Sequence, residues 1–100
     1  MTVFPLVCAE KLINTGLLIK SRRLAQKIRQ KDLALQVGLS TTTLSKIEAG
    51  APTVEMRGYM AVLWHLGLLD DVFTNIAVPP PATYANEHRV RLKHFSEEDF

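Results

Sequence analysis

The stretch QKDLALQVGLSTTTLSKIEAG, residues 30–50, decides the fold because it predicts two short helices joined by a tight turn. Leu33, Ala34 and Val37 recur at helical spacing, so the first part of the stretch forms an amphipathic helix. Gly38 follows at the place where a helix C-terminus needs a left-handed residue, a conformation that glycine adopts without steric cost.

The second helix begins directly after Ser40, which is predicted as its N-cap. The hydroxyl of this serine can accept a hydrogen bond from the backbone N–H of Thr42 or Thr43. The helix then extends over about 41–49, and Gly50 ends it.

Two helices joined by so short a turn must approach each other closely. Ala34 supplies the small residue at their crossing, and Leu44 and Ile47 are predicted to fill the wedge between them. This is the helix-turn-helix arrangement, in which the second helix enters the major groove of DNA.

Over residues 16–69 the chain resembles the XRE/lambdoid-repressor helix-turn-helix family. The residues that carry this resemblance are Arg23, Gln30, Leu33-Ala34, Val37-Gly38-Leu39-Ser40, Leu44-Ser45, Ile47-Glu48 and Gly50. It implies an all-α, five-helix lambda-repressor-like DNA-binding domain over 15–77. A short N-terminal extension (1–14) precedes this domain. An extended tail (78–100) follows it, because consecutive prolines cannot continue a helix.

Net charge is only +2, but the charges are unevenly distributed. A run of basic residues without an acid precedes the predicted helix-turn-helix. Such a run is either a solvated helix face or a surface that contacts DNA phosphates, and its position favours phosphate contact. Its members are Lys20, Arg22, Arg23, Lys27, Arg29 and Lys31.

The sequence lacks the patterns of an enzyme. It has no paired carboxylates, no nucleophile beside a base, no glycine-rich phosphate loop and no metal-ligand cluster, so neither catalysis nor a cofactor is expected. Cys8 is the single cysteine and is predicted to be a buried, inert thiol. No apolar run approaches the ~18 residues of a membrane span. A cytoplasmic protein is expected.

The first helix of the domain is predicted to pack through Leu17, Leu18, Leu24 and Ile28. Whether an earlier helix over 6–14 joins it or breaks near Gly16 stays open. Family members usually have Gly or Asn where Lys27 stands, and Thr or Ser where Arg29 stands. The start of the next helix should therefore be less well capped, which lowers the free energy of unfolding by roughly 0.5–2 kcal/mol.

A fourth helix is predicted from an N-cap at Thr53 to Leu66, and a fifth over 68–76. The large apolar side chains near the end of the domain exceed what one small core can cover. They predict a homodimer surface made of Trp64, Leu69, Val72, Phe73 and Ile76.

The resemblance also implies roles for individual residues. Arg23 falls where the family has an arginine paired with a glutamate at the end of the recognition helix, here Glu48. Base reading is expected from Thr41, Thr42, Ser45 and Lys46. Phosphate binding is expected from Arg29, Gln30, Thr43 and Arg57.

Two functions are considered: a dimeric repressor that binds a palindromic operator in double-stranded DNA, and an antitoxin that also masks an enzyme. The segment LGLLDDVF and the proline break before a basic tail are most similar to HipB-type antitoxins, whose partners are HipA-type serine/threonine kinase toxins. A stand-alone phage or chromosomal XRE-family repressor is the alternative. The tail beyond residue 82 is a strand, a basic segment that folds on a partner, or a flexible tail without a fixed structure.

Overall fold

The computed structural model describes residues 3–81, and all regular secondary structure within this range is helical. The prediction of an all-α, five-helix, lambda-repressor-like domain is confirmed. The tail interpretation falls on residues outside the described range. The helices are α1 (Leu6–Ala25), α2 (Gln30–Val37), α3 (Thr41–Glu48), α4 (Met56–His65) and α5 (Leu69–Val72).

Helix α1 is continuous, so the question of a separate N-terminal helix is resolved in favour of one long helix. Gly16 does not break it. Instead, this glycine is buried against α3, where an added methyl group would lie 2.5 Å from the backbone oxygen of Glu48. The absent side chain lets the two helices cross in close contact.

The core face of α1 differs from the predicted one. Ile19 is fully buried, whereas Leu17 and Leu24 are more than half exposed. The prediction was wrong for these two leucines because Gly16, Ile19 and Arg23 define the side of the helix that faces the domain. Leu18 and Ile28 do pack against the core.

The helix-turn-helix forms as the sequence predicts. Gly38 adopts the left-handed conformation with φ 74° at the end of α2. Ser40 caps α3, since its hydroxyl oxygen accepts a hydrogen bond of 3.0 Å from the backbone N–H of Thr43. Ala34, Leu44 and Ile47 are buried at the crossing of α2 and α3.

Helix α4 closes the core, but it begins later than predicted. Its N-cap is Glu55 rather than Thr53, because residues 52–54 form a turn before the helix starts. Tyr59 donates its hydroxyl proton to the backbone oxygen of Ala51 over 2.6 Å and so ties α4 to the loop after α3. Burial raises the pKa of Tyr59, which keeps the hydroxyl protonated as a donor. The core side chains of α4 are Tyr59, Val62 and Leu63, with Leu66 just after the helix.

Helix α5 is a single turn, shorter than the predicted helix over 68–76. The chain leaves the helical conformation at Phe73 (φ −111°, ψ 88°). Leu68 is buried before the turn, and Leu69, Val72 and Phe73 pack partly against the core. One turn therefore suffices to place the apolar side chains of this segment.

Cys8 is exposed, so the prediction of a buried thiol was wrong. The first turn of α1 lies at the surface, and Leu6 and Val7, the apolar residues before Cys8, are themselves exposed. Within residues 3–81, no helix combines the length and apolar character that crossing a bilayer requires.

The joint between α1 and α2 carries backbone strain. Lys27 has φ 58°, and it is the one non-glycine residue with positive φ in the described part of the chain. The left-handed conformation costs an L-residue roughly 1–2 kcal/mol. No side chain caps α2 at Arg29. The weak joint expected from the sequence is therefore present.

Replacing Lys27 with glycine should stabilise the protein. Relief of the backbone strain outweighs the greater freedom of glycine in the unfolded chain by about 0.5–1 kcal/mol. Thermal unfolding followed by circular dichroism should show a higher midpoint for Lys27→Gly. The matched control is Lys11→Gly in the middle of α1, where the same chemical change should lower stability by about 1 kcal/mol. If Lys27→Gly and Lys11→Gly shift the unfolding midpoint in the same direction, backbone strain at Lys27 is contradicted.

Candidate nucleic-acid interface

The outer face of α3 presents a row of polar side chains to solvent. Thr41, Thr42, Ser45 and Lys46 are all exposed, while Leu44 and Ile47 on the opposite side are buried. The N-terminal turn of the helix is held by the Ser40 cap. The four side chains expected to read bases therefore share one accessible face on a well-anchored helix.

Thr43 has a different environment from its neighbours. It is half-buried, and its hydroxyl oxygen accepts a hydrogen bond of 2.9 Å from the hydroxyl of Ser40. Its backbone N–H is also engaged by the same serine. Thr43 is thus part of the cap at the start of α3, turned away from the outermost face of the helix.

An open groove of about 660 Å³ lies between α3 and the start of α4. Thr43 and Lys46 line one side, and Arg57 lines the other. The guanidinium of Arg57 is exposed and lies 3.5 Å from a carboxylate oxygen of Glu55, a long and solvent-screened contact. Lys46 and Arg57 are far apart in sequence, and only the fold brings them to one groove.

Arg29 has a partner that the sequence interpretation missed. Its Nε donates to Asp32 Oδ2 over 2.9 Å, across one turn of α2. The pair is exposed. The hydrogen bond from Arg29 lowers the pKa of Asp32, and the same contact raises the pKa of Arg29. An acid three residues after a base was visible in the sequence, and it partly neutralises the cation expected to meet phosphate.

Gln30 is oriented inward rather than freely presented to solvent. Its side-chain nitrogen donates to Glu48 Oε1 over 2.9 Å, and the residue is half-buried. Its position at the first residue of α2 still places unpaired helical N–H groups nearby, which favour an anion.

Arg23 and Glu48 form a buried two-pronged ion pair. Arg23 Nε donates to Glu48 Oε2 over 2.6 Å, and a terminal guanidinium nitrogen donates to Oε1 over 3.1 Å. A further guanidinium nitrogen donates to the backbone oxygen of Ile28 over 2.8 Å. Both residues are almost fully buried. The pair joins α1 to the end of α3 and also fixes the chain that enters α2.

The basic run before the helix-turn-helix is divided by the fold. Arg23 is buried in the ion pair, and Arg22 donates to the backbone oxygen of Leu66 over 3.0 Å at the end of α4. Lys20, Lys27 and Lys31 are exposed. Only part of the run is therefore available to an anionic partner.

The five residues of the predicted dimer surface fall into two groups. Trp64 and Ile76 are 71% and 81% exposed. Leu69, Val72 and Phe73 pack partly against their own core, and Phe73 lines a small apolar cleft beside Phe4 and Leu12. The surface stays a prediction, but fewer of its side chains are free than the sequence suggested.

His65 lies at the rim of the domain, where its Nε2 is 2.8 Å from Oε1 of Gln36. Across residues 3–81, no group of three or more histidine, cysteine or carboxylate side chains is arranged to hold a metal ion.

Comparison with known families identifies the same segment that the geometry singles out. The helix-turn-helix family model HTH_3, of the XRE type, matches residues 19–56, which run from the last third of α1 through α2 and α3 to the first residue of α4. Residues 19–56 are thus similar to an XRE-type helix-turn-helix domain, a type of domain found in DNA-binding transcription regulators. Neither the curated proteins nor the solved structures contain a match to the chain.

Removing Arg23 should destabilise the domain more than any exposed substitution. Arg23→Ala leaves the Glu48 carboxylate buried without its cation, which costs about 3–5 kcal/mol. The double variant Arg23→Met with Glu48→Met removes both charges, so it should recover most of that loss. Urea unfolding of the two variants measures the difference. An Arg23→Ala protein of full stability that fails only in DNA binding would refute a structural role for the pair.

Proposed function

We propose that the protein is a sequence-specific transcriptional repressor that places α3 in the major groove of operator DNA. The observation that carries the proposal is the exposed polar face of α3, whose opposite face is locked into the core by Leu44, Ile47 and the Glu48 ion pair. A recognition helix needs this combination, because base edges are read by side chains held in a fixed register.

Base reading is assigned to Thr41, Thr42, Ser45 and Lys46. The lysine ammonium can donate to guanine O6 or N7, and the threonine methyl groups can contact the methyl group of thymine. Phosphate binding is assigned to Arg57 across the groove from Lys46, with Arg29, Gln30 and Thr43 as further candidates. Thr43 would act through the capped helix start rather than through a base.

The protein is proposed to act as a homodimer on a palindromic operator, since one helix-turn-helix reads only a half-site. A DNA-binding regulator works where the chromosome is, so a cytoplasmic location follows from this function. The activity is binding and needs neither catalysis nor a cofactor.

A finer proposal is that the repressor is the antitoxin of a HipBA-like system and neutralises a HipA-type kinase. Its support is the order of features along the chain: the helix-turn-helix, the segment LGLLDDVF and then the prolines at 79–81. Purification of the tagged protein from its native cell, followed by mass spectrometry, tests it. A kinase recovered in stoichiometric amount supports the antitoxin; operator binding without any kinase supports the stand-alone repressor.

Lys46→Ala should relax sequence discrimination. Loss of the lysine contact costs about 1–3 kcal/mol at one base pair of each half-site and leaves the other positions unchanged. Binding-site selection with wild type and variant measures this. The matched control is Lys31→Ala on α2, which removes the same exposed charge away from α3 and should leave the selected motif intact. An identical motif from Lys46→Ala would remove this residue from the base-reading set.

Arg57→Ala should weaken binding to all DNA sequences alike. Each lost phosphate contact lowers the slope of log affinity against log salt by about 0.9 per half-site. Asp32→Asn should act in the opposite direction, because it frees the Arg29 guanidinium from its partner and steepens the slope. Titrations at several salt concentrations measure both, with Lys11→Ala in the first half of α1 as the control. An unchanged slope in Arg57→Ala would exclude its phosphate contact.

A further inference from the structure

Helix α1 carries an exposed apolar stripe that the helix-turn-helix does not use. Leu6, Ile13, Leu17 and Leu24 are 73%, 47%, 56% and 55% exposed, respectively. At 100° per residue, the stripe is centred about 105–110° around the helix from the buried side of α1. It extends for about 27 Å along the helix axis. A long apolar stripe on one helix is unusual for a surface that stays in water.

The spacing of the stripe is that of a helix–helix seam. Leu6, Ile13, Leu17 and Leu24 follow the alternating intervals of a heptad repeat, in which two positions of every seven face a partner helix. Two charged residues complete the same repeat, Glu10 near one end and Lys20 near the other. Neither forms an ion pair within residues 3–81.

We infer that this stripe is a two-fold interface in which α1 of one protomer packs antiparallel against α1 of its partner. When Thr15 of one helix lies opposite Thr15 of the other, each apolar position of the repeat faces an apolar position, and each charged position faces one of opposite charge. Leu6 faces Leu24, Ile13 faces Leu17, and Glu10 faces Lys20 in the facing helix. The two-fold axis repeats each contact, so two intermolecular ion pairs flank the apolar centre.

Charge complementarity identifies a second copy as the occupant. A parallel arrangement would place Glu10 against Glu10 and Lys20 against Lys20, and like charges in a seam oppose association. The antiparallel arrangement converts both repulsions into attractions. It also leaves both domains on one side of the helix pair, because the two-fold axis is perpendicular to the plane of the helices.

This inference deepens the proposed function and rests on it, because the need for a dimer comes from the proposed binding to a palindromic operator. The alternative interface is the predicted dimer surface that contains Trp64 and Ile76. These two apolar residues are exposed, but no complementary charge pattern is established for them. The stripe on α1 offers four exposed apolar residues and a self-complementary pair of charges.

Charge reversal tests the seam with the full-length chain and without DNA, so failure of the interface and failure of DNA binding are separate results. Sedimentation equilibrium should show that Glu10→Lys and Lys20→Glu each raise the dimer Kd by about tenfold or more. Both positions are on exposed parts of α1, and circular dichroism checks that the helical content is kept.

Mixing the two single variants provides the sharpest result. One protomer then carries Lys at positions 10 and 20, and the other carries Glu at both, so the heterodimer regains both ion pairs. The equimolar mixture, and the double variant alone, should associate as wild type does. If either the mixture or the double variant fails to regain wild-type association, the antiparallel register is overturned.

Trp64→Glu is the control for the competing surface and should leave association unchanged. Dissociation by Trp64→Glu together with insensitivity to both charge reversals would overturn the α1 seam and favour the surface around Trp64. A wild-type chain that is monomeric at all concentrations would also overturn it.

Discussion

The buried pair of Arg23 and Glu48 is the interaction on which the geometry of the helix-turn-helix, the proposed DNA-binding surface, depends. The two side chains come from α1 and from the last residue of α3, and Gln30 at the start of α2 donates to the same carboxylate. Arg23 also holds the backbone of Ile28 in the joint before α2. One carboxylate and one guanidinium thus set the positions of three helices. Removal of either charge exposes the other to an apolar interior, which is why the cluster acts as a unit.

Close backbone contact complements this polar cluster. Gly16 of α1 lies against the backbone at the end of α3, and Gly50 just after α3 lies against the backbone of Ile13. A side chain at either glycine would overlap backbone atoms, so α1 could not approach α3 closely enough for Arg23 to reach Glu48. The orientation of α3 therefore results from the two closely packed glycines and the buried ion pair together. The N-cap at Ser40 then fixes the end of α3 expected to enter the groove.

The fold assigns different tasks to residues of the same chemical type. Arg22 and Arg23 form hydrogen bonds within the domain, and Arg29 forms an exposed ion pair with Asp32. Arg57 lines the groove beside α3. The apolar residues divide in the same way. On α4, Tyr59, Val62 and Leu63 fill the core, whereas on α1 Leu6, Ile13, Leu17 and Leu24 are exposed and form the stripe proposed as a two-fold interface.

Local signals in the sequence determined α2, the turn and α3, because glycine, serine and apolar spacing act over a few neighbouring residues. They predicted the left-handed Gly38, the Ser40 cap and the outward polar row on α3. The family resemblance predicted a poorly capped joint before α2, and the backbone strain at Lys27 was found only in the structure. Only the tertiary structure decided which side of α1 is buried. The reason is that several sides of this helix carry leucine or isoleucine, and the choice depends on where Gly16 admits α3. Tertiary contacts likewise shortened α5, exposed Cys8 and directed Gln30 to Glu48, since each depends on neighbours distant in the sequence.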